Sequence, residues 1–497
     1  MSARALWTVA DMVAAMGAER RGPLPQTVSG ISIDSRTIGI GEAFFALTDR
    51  RDGHEFVVPA LAAKSALAVV AADRLAELPP NAPLLAVPDV LSALRALAAA
   101  ARARTHGKVI GVTGSVGKTG TKEALRLALS KDGETHASVA SYNNHWGVPL
   151  SLARAPASAD YVVLEMGMNH AGEIEPLSRL ARPHVAIITS IAPVHLEFFG
   201  SLAKIADAKA EIFRGLEPGG AAVLNRDNAQ FARLRRHAKA AGARVVSFGE
   251  HAKADARLIK CAAHADCSTV QADILGTELA YKIGAPGRHL VVNSLAVLAT
   301  VVLVGADLAL AALALLDFKP TSGRGARLQI DLPGGNLLVL DDSYNANPAS
   351  VAASLALLGQ TPIGPRGRRI AVLGDMLELG PRGRTLHRGL LAPVEANGID
   401  LVFCCGPLMQ ALWRVLPAGL RGGYAEDSTA LEAQVLSAVH ADDAVMVKGS
   451  LGSRMAPIVK ALHRLSVRRE TVETDAPDAG ARETASAQGR GDALLAD

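Results

Sequence analysis

The chain has few cysteines, few aromatic residues and little net charge. Its 497 residues include four cysteines, aromatic residues make up 4%, and the formal net charge is +4 at pH 7. Four unevenly spread cysteines do not make the disulfide framework of a secreted protein, so a reduced, cytoplasmic setting is expected. The balanced charge, without basic patches interleaved with aromatic residues, argues against nucleic-acid binding.

No apolar run is long enough to predict a membrane span. The best candidate, residues 293–318, is interrupted by Gly305, Ala306 and Asp307. Each remaining piece is shorter than the roughly 20 residues that a spanning helix needs. Two buried helices are the better interpretation. The amino terminus does not resemble a secretory signal, because Asp11 interrupts its apolar stretch.

One cysteine-containing segment has the spacing of a metal site. Cys261, His264 and Cys267 offer only three potential ligands, and they lie in an alternating, strand-like run. Structural zinc sites usually supply four ligands. We therefore predict ordinary sheet residues here.

Short apolar segments alternate with helical ones, which predicts an α/β fold. A chain of 497 residues is long enough for about three domains. We place a smaller α/β domain at residues 1–105 and a central domain with a mainly parallel sheet at 106–318. A third α/β domain follows at 319–468, after a linker at 319–325. Residues 469–497 lose apolar periodicity and are predicted to be a disordered tail.

The segment GVTGSVGKTGT, residues 111–121, lies between a predicted strand and a predicted helix. Gly114 and Gly117 would let the backbone close on a phosphate, Lys118 would reach the β- and γ-phosphates, and Thr119 would ligate Mg²⁺. The spacing GxxGxxGKT departs from the strict phosphate-loop pattern. The flanking strand and helix still favour a nucleotide site over an ordinary glycine-rich turn. The remaining residues of the predicted nucleotide-binding loop are Ser115, Val116 and Gly120.

Polar residues follow two further predicted strands of the central domain. Glu165 ends the strand at 161–166, and His195 follows the strand at 185–190. The carboxyl ends of parallel strands share one rim, which is also where the phosphate loop must lie. A carboxylate is tolerated beside phosphates only if a divalent cation lies between them, so Glu165 is expected to ligate Mg²⁺, with His195 as a further candidate.

The motifs, in their order, resemble those of the Mur ligases, ATP-dependent amide-bond-forming enzymes of peptidoglycan synthesis. The resemblance extends to about residue 465 and is carried by DSR, DGHEF, TGSVGKTGTKE, NNHWGVPLSL, EMGMNHAGEI, APVHLEFFGS, AKAEIF, GRHLVVNSLA, DDSYNANP, GDMLELG and VKGS. The motifs DDSYNANP and GDMLELG resemble the branch that joins D-alanyl-D-alanine to UDP-N-acetylmuramoyl-tripeptide. The tetrapeptide DNPR, typical of the lysine- or diaminopimelate-adding branch, is absent from the sequence.

This resemblance implies an amino-terminal UDP-sugar-binding domain, a central P-loop ATPase and a carboxy-terminal Rossmann-like domain. It implies that Thr119 and Glu165 bind Mg²⁺, that His195 binds a second Mg²⁺, and that Lys209 is carbamylated to complete that second site. Lys118, Glu165, His195 and Lys209 would then be the catalytic residues. The further nucleotide-contacting positions are Asn293, Arg324, Asp341 and Asn345. The positions near the UDP-sugar are Ser35, Arg36 and Asn144.

Three departures from the family pattern concern recognition of the nucleotide and the acceptor. Leu290 stands where the family often has asparagine, Thr48 and Asp49 replace a Lys-Gly pair, and Leu451 replaces an arginine. These departures do not affect the residues predicted to bind phosphate and Mg²⁺. The third residue of the tripeptide stays open between diaminopimelate and lysine.

The resemblance implies a cytoplasmic enzyme, expected to be a monomer, in which ATP phosphorylates the tripeptide and D-alanyl-D-alanine displaces the phosphate. One alternative is another ligase of the superfamily, adding lysine or diaminopimelate or resembling folylpolyglutamate synthetase. The other is a nucleotide-switched binding protein that performs no ligation. The joint presence of Glu165, His195 and Lys209 favours a ligase, because a simple switch does not need a second metal.

Overall fold

A computed structural model describes residues 5–49, 51–139, 141–194 and 196–473, with side chains described as far as residue 466. His195 therefore lies outside the described residues, as does most of the predicted tail. The described chain forms an α/β fold with three large sheets and one two-stranded ribbon, which confirms the predicted fold class.

The amino-terminal part is built on a small sheet. Its strands are β1 (Trp7–Thr8), β2 (Glu19–Arg21), β3 (Thr27–Val28), β4 (Gly30–Ser32), β5 (Glu42–Phe45), β6 (Leu67–Ala71) and β7 (Leu84–Val87), and its helices are α1 (Val9–Met16), α2 (Val57–Ala62) and α3 (Val90–Arg104). The five-stranded sheet has the order β2-β7-β6-β5-β4, with only β2 antiparallel, while β1 and β3 form the ribbon. Helix α1 begins because the Thr8 hydroxyl accepts the Asp11 N–H, and it ends at Gly17 in a left-handed conformation.

The central part contains the largest sheet. Its strands are β8 (Lys108–Thr113), β9 (Thr135–Ala137), β10 (Tyr161–Glu165), β11 (Val185–Ile188), β12 (Ala221–Asn225), β13 (Arg244–Gly249), β14 (Ala256–Ala263), β15 (Ser268–Ile274) and β16 (Thr277–Ile283). Its helices are α4 (Lys118–Leu129), α5 (Gly147–Ala153), α6 (Ile174–Ala181), α7 (Leu196–Phe199), α8 (Leu202–Ala210), α9 (Phe231–Ala240), α10 (Arg288–Val304) and α11 (Leu308–Ala314).

This nine-stranded sheet has the order β16-β15-β14-β13-β12-β11-β8-β10-β9 and is parallel from β9 to β14. Strands β15 and β16 continue it in antiparallel fashion. Strand β8 lies between β10 and β11 and is almost entirely apolar and buried, as expected where helices cover both faces. The loops after these three strands therefore meet at one rim of the sheet.

The stretch 293–318 forms two helices, as predicted, rather than a membrane span. Gly305 adopts a left-handed conformation that ends α10, and the Asp307 side chain caps α11 by accepting the Leu310 N–H. The prediction of two buried helices is wrong for α11, because Leu310 and Leu313 are 45% and 72% exposed. Among the described residues, no helix combines the length and apolarity needed to cross a bilayer.

The carboxy-terminal part forms a second parallel sheet with one antiparallel edge. Its strands are β17 (Ala326–Leu332), β18 (Gly335–Asp342), β19 (Arg369–Gly374), β20 (Leu401–Cys405), β21 (Arg421–Ala425) and β22 (Ala444–Lys448), and its helices are α12 (Pro348–Gln360), α13 (Gly383–Arg388), α14 (Leu391–Ala396), α15 (Gln410–Trp413), α16 (Ser428–Ala438) and α17 (Ala456–Glu473). The sheet order is β17-β18-β22-β19-β20-β21, with β17 antiparallel to β18.

The structure of the linker and of the last helix can be compared with the predicted domain boundaries. Residues 319–325 form loop and turn structure between α11 and β17, where the linker is predicted. Helix α17 continues to Glu473, past residue 469, where the tail is predicted to start. The domain and tail boundaries remain predictions.

The segment with metal-like spacing is a β-hairpin. Cys261 belongs to β14, and His264 and Cys267 lie in the turn before β15, where the His264 N–H donates to the Cys267 carbonyl. No metal-binding cluster of His, Cys, Asp and Glu occurs within the described ranges. Of the three residues predicted to belong to the sheet, Cys261 does, whereas His264 and Cys267 lie in the turn.

Candidate active site

The phosphate loop connects β8 to α4 at the rim of the central sheet. Gly114 and Gly117 have φ angles of +149° and +88°, which side-chain-bearing residues rarely adopt. A Cβ on Gly114 would collide with the Thr189 hydroxyl, and a Cβ on Gly117 would lie 2.6 Å from Nδ2 of Asn293. Both glycines are therefore required by conformation and by close approach.

Neighbouring loop residues hold this turn in place. The Ser115 and Val116 N–H groups donate to the Ser190 carbonyl and hydroxyl at 2.8 and 3.2 Å. Ser115 Oγ also exchanges hydrogen bonds with the backbone of Ala192, at 3.0 and 3.1 Å. Ser115 and Val116 thus anchor the loop. The N–H groups of the first turn of α4, which includes Thr119 and Gly120, have no carbonyl partner inside the helix and are the ones suited to an anion.

Glu165 and Thr119 meet at this rim. Glu165 is fully buried at the end of β10, and its Oε2 accepts the Thr119 hydroxyl at 2.8 Å. Its Oε1 accepts a hydrogen bond from Nδ2 of Asn143, also at 2.8 Å. The parallel register, with Glu165 opposite Val112 of β8, places the carboxylate beside the phosphate loop. The two predicted metal ligands are thus in direct contact.

Two lysines of this region, Lys118 and Lys209, lie close enough for the charge of one to influence the other. The Nζ of Lys118 donates to the Gly114 carbonyl at 2.8 Å. Lys118 is partly exposed in the cleft, yet the surrounding protein lowers its pKa by desolvation, which the charge of Glu165 opposes and that of Arg324 reinforces.

Lys209, on α8, is only 2% exposed. Its Nζ has no hydrogen-bond partner in the part of the chain that the structure describes. Burial first, and the positive charge of Lys118 second, hold the pKa of Lys209 well below its usual range. This lysine therefore lies near Lys118 of the phosphate loop, and it loses its proton more readily than an exposed lysine does.

The further positions predicted to contact the nucleotide lie before the linker, within it and after it. Asn293 of α10 packs against Gly117. The guanidinium of Arg324 donates to the Ser141 hydroxyl at 2.8 Å and stacks on the Tyr344 ring at 4.2 Å. Its charge also acts on Lys118, so Arg324 lies near the phosphate loop.

Asp341 and Asn345 belong to the segment after β18. The buried Asp341 carboxylate accepts the Gly323 N–H at 2.7 Å, the Ser322 hydroxyl at 3.0 Å and the Ser343 hydroxyl at 2.6 Å. Asp341 therefore shapes the linker. Asn345 is exposed, and its carbonyl accepts Lys448 Nζ at 3.0 Å. No contact joins either residue to the phosphate loop within the described residues.

The three positions predicted near a UDP-sugar make only local contacts. Arg36 forms a two-point ion pair with Asp34, at 2.7 and 2.9 Å, which lowers the pKa of that carboxyl. Ser35 is partly exposed beside them, and Asn144 caps α5 by accepting the Gly147 N–H at 2.9 Å. In the described structure these residues do not contact Lys118, Thr119 or Glu165.

Two parts of the chain match known domains of one protein family. The chain matches the Mur ligase middle domain over residues 112–301 and the Mur ligase glutamate ligase domain over residues 326–451. The chain belongs to the Mur ligase family. The first match contains the phosphate loop, Glu165, Lys209 and Asn293, and the second contains Asp341 and Asn345.

Relatives of this Mur ligase match it over almost their whole length. A UDP-N-acetylmuramoyl-tripeptide–D-alanyl-D-alanine ligase of Rickettsia prowazekii is 30% identical over 455 residues, 91% of this chain and 99% of the relative. The ligase of the same name from Escherichia coli is 35% identical over 442 residues, 88% of this chain and 94% of the relative. A crystal structure of MurF from Acinetobacter baumannii superimposes with a TM-score of 0.78 at 29% identity, covering 92% of this chain and 99% of that one.

The structure of this Mur ligase also reveals residues that the sequence analysis missed. Asn143 holds Glu165, although its neighbour Asn144 was the residue chosen from NNHWG. The ring of Tyr344, within DDSYNANP, stacks on Arg324. The Ser141 hydroxyl accepts a hydrogen bond from the Arg324 guanidinium. The consecutive asparagines in NNHWG are the only sequence signal that could have suggested Asn143.

Proposed function

We propose that this Mur ligase joins D-alanyl-D-alanine to UDP-N-acetylmuramoyl-tripeptide at the expense of ATP. The observation that carries the proposal is the convergence of Lys118, Thr119, Glu165 and Lys209 at one phosphate loop. The choice of substrates rests on the two relatives named above, which this chain matches over 99% and 94% of their lengths.

The donor atoms at the rim fit Mg²⁺. The Thr119 hydroxyl and the Glu165 carboxylate are oxygen ligands already within 2.8 Å of each other, and Mg²⁺ prefers oxygen. These two residues would hold one ion. When bound, Mg²⁺ supplies positive charge that offsets the charge of the phosphate oxygens. His195, outside the described residues, is assigned to a second ion by the family resemblance alone.

We propose further that Lys209 is carbamylated. A neutral lysine amine can attack the carbon of CO₂, forming an N–C bond and releasing one proton to solvent. The product is a carboxylate at a position where the sequence supplies a lysine. Its burial, its lowered pKa and its lack of a described acidic partner support this modification. The carbamate oxygens would be ligands for the second Mg²⁺.

The proposed reaction has two displacements. An oxygen of the tripeptide's terminal carboxylate attacks the γ-phosphorus of ATP, the bond to the β–γ bridging oxygen breaks, and ADP leaves. The amine of D-alanyl-D-alanine then attacks the acyl carbon, loses a proton, and phosphate departs with the electron pair of the C–O bond. Lys118 would bind the phosphate oxygens as their charge develops. The amino-terminal residues Ser35 and Arg36, with Asn144, would bind the UDP-sugar.

Mass spectrometry of the products tests the proposal. With UDP-N-acetylmuramoyl-tripeptide, ATP and D-alanyl-D-alanine, we expect a product heavier by the dipeptide minus one water. Parallel reactions with lysine, diaminopimelate or glutamate as acceptor should release little ADP. A ligated product with one of those amino acids in place of the dipeptide would move the chain to another branch. Nucleotide binding without ADP release for any acceptor would favour a non-ligating switch.

The proposed setting is the cytoplasm, where ATP and the UDP-linked precursor are made, and the proposed state is a monomer. Every residue of the cluster at the phosphate loop is supplied by one chain, which supports activity without a second copy. Analytical ultracentrifugation at the assay concentration should give the mass of one chain. A dimer as the sole active species would contradict the proposed state and leave the chemistry intact.

A further inference from the structure

A cavity of about 470 Å³ lies between the central and carboxy-terminal parts of the protein. The tip of the β14–β15 hairpin forms one wall, and the first turn of α10 forms the floor. The end of α12 and strand β17 close the opposite side. A volume of this size is typical of small-molecule sites, which range over about 300–1,000 Å³.

This cavity is separate from the nucleotide site. It is lined by Arg288 and Val291 of α10, whereas Leu290 and Asn293 line a narrow slot beside Gly120 at the phosphate loop. With about 3.6 residues per turn, these two pairs lie on opposite faces of the helix. A molecule in the cavity and a nucleotide at the phosphate loop can therefore be bound together.

One end of the cavity is cationic. Arg327 of β17 is partly buried, and its guanidinium has no hydrogen bond or ion pair to any residue that the structure describes. Burial lowers the pKa of Arg327, and the charge of Asp266 only partly opposes this effect. A guanidinium in this position is stabilised by an anion that reaches it, because desolvated charge without a partner is costly.

The other groups at this end leave room for such an anion. Arg288 is held by Glu250 through two bonds, at 2.6 and 2.7 Å, so its charge is already balanced. His264 uses Nε2 in a contact with Thr269 Oγ1 at 3.3 Å, which leaves Nδ1 for a ligand. The amide of Gln360 is exposed at the cavity and makes no hydrogen bond to another described residue. Arg327, His264 and Gln360 are thus the polar groups available to a ligand.

The lining also has an apolar part. Leu357 and Pro362 from the carboxy-terminal part and Pro286 and Val291 from the central part line the same cavity. An apolar or aromatic body would remove these side chains from water, at about 25 cal/mol per Å² of buried apolar surface. The lining therefore selects a molecule with an apolar body and an acidic group at one end.

We propose that this cavity binds a small organic anion with an apolar ring system, whose acidic group pairs with Arg327 and whose ring lies against Leu357 and Pro362. Pro286 and Val291 precede the linker, and Arg327, Leu357 and Pro362 follow it, so a ligand that fills the cavity contacts both sides of the linker. Arg327 lies three residues after Arg324, whose guanidinium donates to Ser141 of the central part.

The probe for this site is 8-anilinonaphthalene-1-sulfonate, which combines an aromatic body with one sulfonate. We expect saturable binding by fluorescence titration, with one high-affinity site in isothermal calorimetry. Binding should persist at saturating Mg²⁺-ADP because the two sites lie on opposite faces of α10. Displacement by Mg²⁺-ADP would overturn the proposal, because the probe would then occupy the nucleotide site.

Three variants test the assignment. Arg327→Gln should weaken the probe at least tenfold, and Ala263→Phe, at an exposed lining position, should block the cavity and abolish high-affinity binding. The matched control is Arg366→Gln, which removes an exposed arginine outside the cavity and should bind the probe as the parent protein does. Unchanged affinity in both Arg327→Gln and Ala263→Phe, with folding confirmed by circular dichroism, would refute the site. Equal weakening in Arg327→Gln and Arg366→Gln would show a general charge effect and would also refute it.

Discussion

Replacing Glu165 with glutamine removes one charge from the centre of the proposed metal site and leaves its shape. In the structure the carboxylate accepts one hydrogen bond from Asn143 and one from Thr119, both at 2.8 Å. The glutamine oxygen can still accept from Asn143. Its amide can donate to the Thr119 hydroxyl, which has lone pairs to accept the bond. The change therefore isolates the charge from the packing.

The expected cost to folding is small. Hydrogen bonds to a charged group contribute about 1.5–3 kcal/mol and neutral ones about 0.5–1.5 kcal/mol, so changing two bonds from charged to neutral typically costs about 2–3 kcal/mol. Removing a charge from a fully buried position offsets part of this cost. The expected effect on catalysis is larger than the effect on folding. Loss of one preorganised charge or donor lowers kcat by about 10²–10³, or about 2.7–4 kcal/mol.

Two assays separate these effects. Unfolding followed by circular dichroism should show a folded variant, while ADP release with all substrates should fall at least a hundredfold. At about one hundred times Kd, a ligand stabilises the native state by about 2.7 kcal/mol. A tenfold loss of Mg²⁺-ADP affinity in the variant should reduce that gain by about 1.3 kcal/mol at the same ligand concentration.

The control for this experiment is Glu77→Gln, which changes an exposed carboxylate of the amino-terminal part and should leave both assays unchanged. The reasoning would be refuted if Glu165→Gln turned over within about threefold of the parent protein and kept its stabilisation by Mg²⁺-ADP, since the charge would then serve neither metal nor phosphate.

Four further predictions concern the remaining groups of the site. Lys118→Ala should abolish ligation while circular dichroism shows an intact fold, and near-normal turnover would contradict its role at the phosphates. Lys209→Ala should be inactive but partly rescued by small carboxylic acids that replace the carbamate; full activity without rescue would exclude the modification. The stability of the parent protein in CO₂-free buffer should rise as pH increases toward 10.5, since the unfolded state binds more protons while the folded pKa of Lys209 is lowered. The Lys209→Met variant should lose this rise of stability with pH. If urea unfolding gave the same dependence of stability on pH for the variant and the parent protein, the prediction would be contradicted. Small-angle scattering should show a more compact particle with an ATP analogue and the tripeptide substrate, because Arg324 of the linker bonds to Ser141 and its charge reaches Lys118; an unchanged profile would argue against closure of the carboxy-terminal part on the nucleotide.

Much of the fold around the site can be predicted from sequence because its signals are local. Strands β8, β10 and β11 are short apolar runs that end in polar residues, and their observed bounds differ from the predicted ones by at most two residues. The glycines of the phosphate loop indicate backbone conformations that other residues rarely adopt. Residues that depend on such signals, including Lys118, Thr119 and Glu165, are brought together as predicted.

Other features depend on contacts that no local pattern encodes. Strand β21, Arg421–Ala425, contains two consecutive glycines and no alternating pattern, so it went unpredicted. Asn143 acquires its role from Glu165, which lies on another strand-loop unit. The cavity at Arg327 is formed by four separated segments and becomes visible only when the central and carboxy-terminal parts are packed together.

The electrostatics of the site give a physical reason for the unusual state of Lys209. Lys118, Lys209 and Arg324 crowd one rim of the sheet, where Glu165 is the carboxylate that attracts Lys118. Three full positive charges this close would repel one another in a desolvated environment, and the least exposed of them, Lys209, loses its proton most readily. Its neutral form lowers the repulsion and at the same time leaves a nucleophilic amine. Carbamylation would then convert a third cation into a second anion, which suits a rim that must bind divalent cations with the triphosphate.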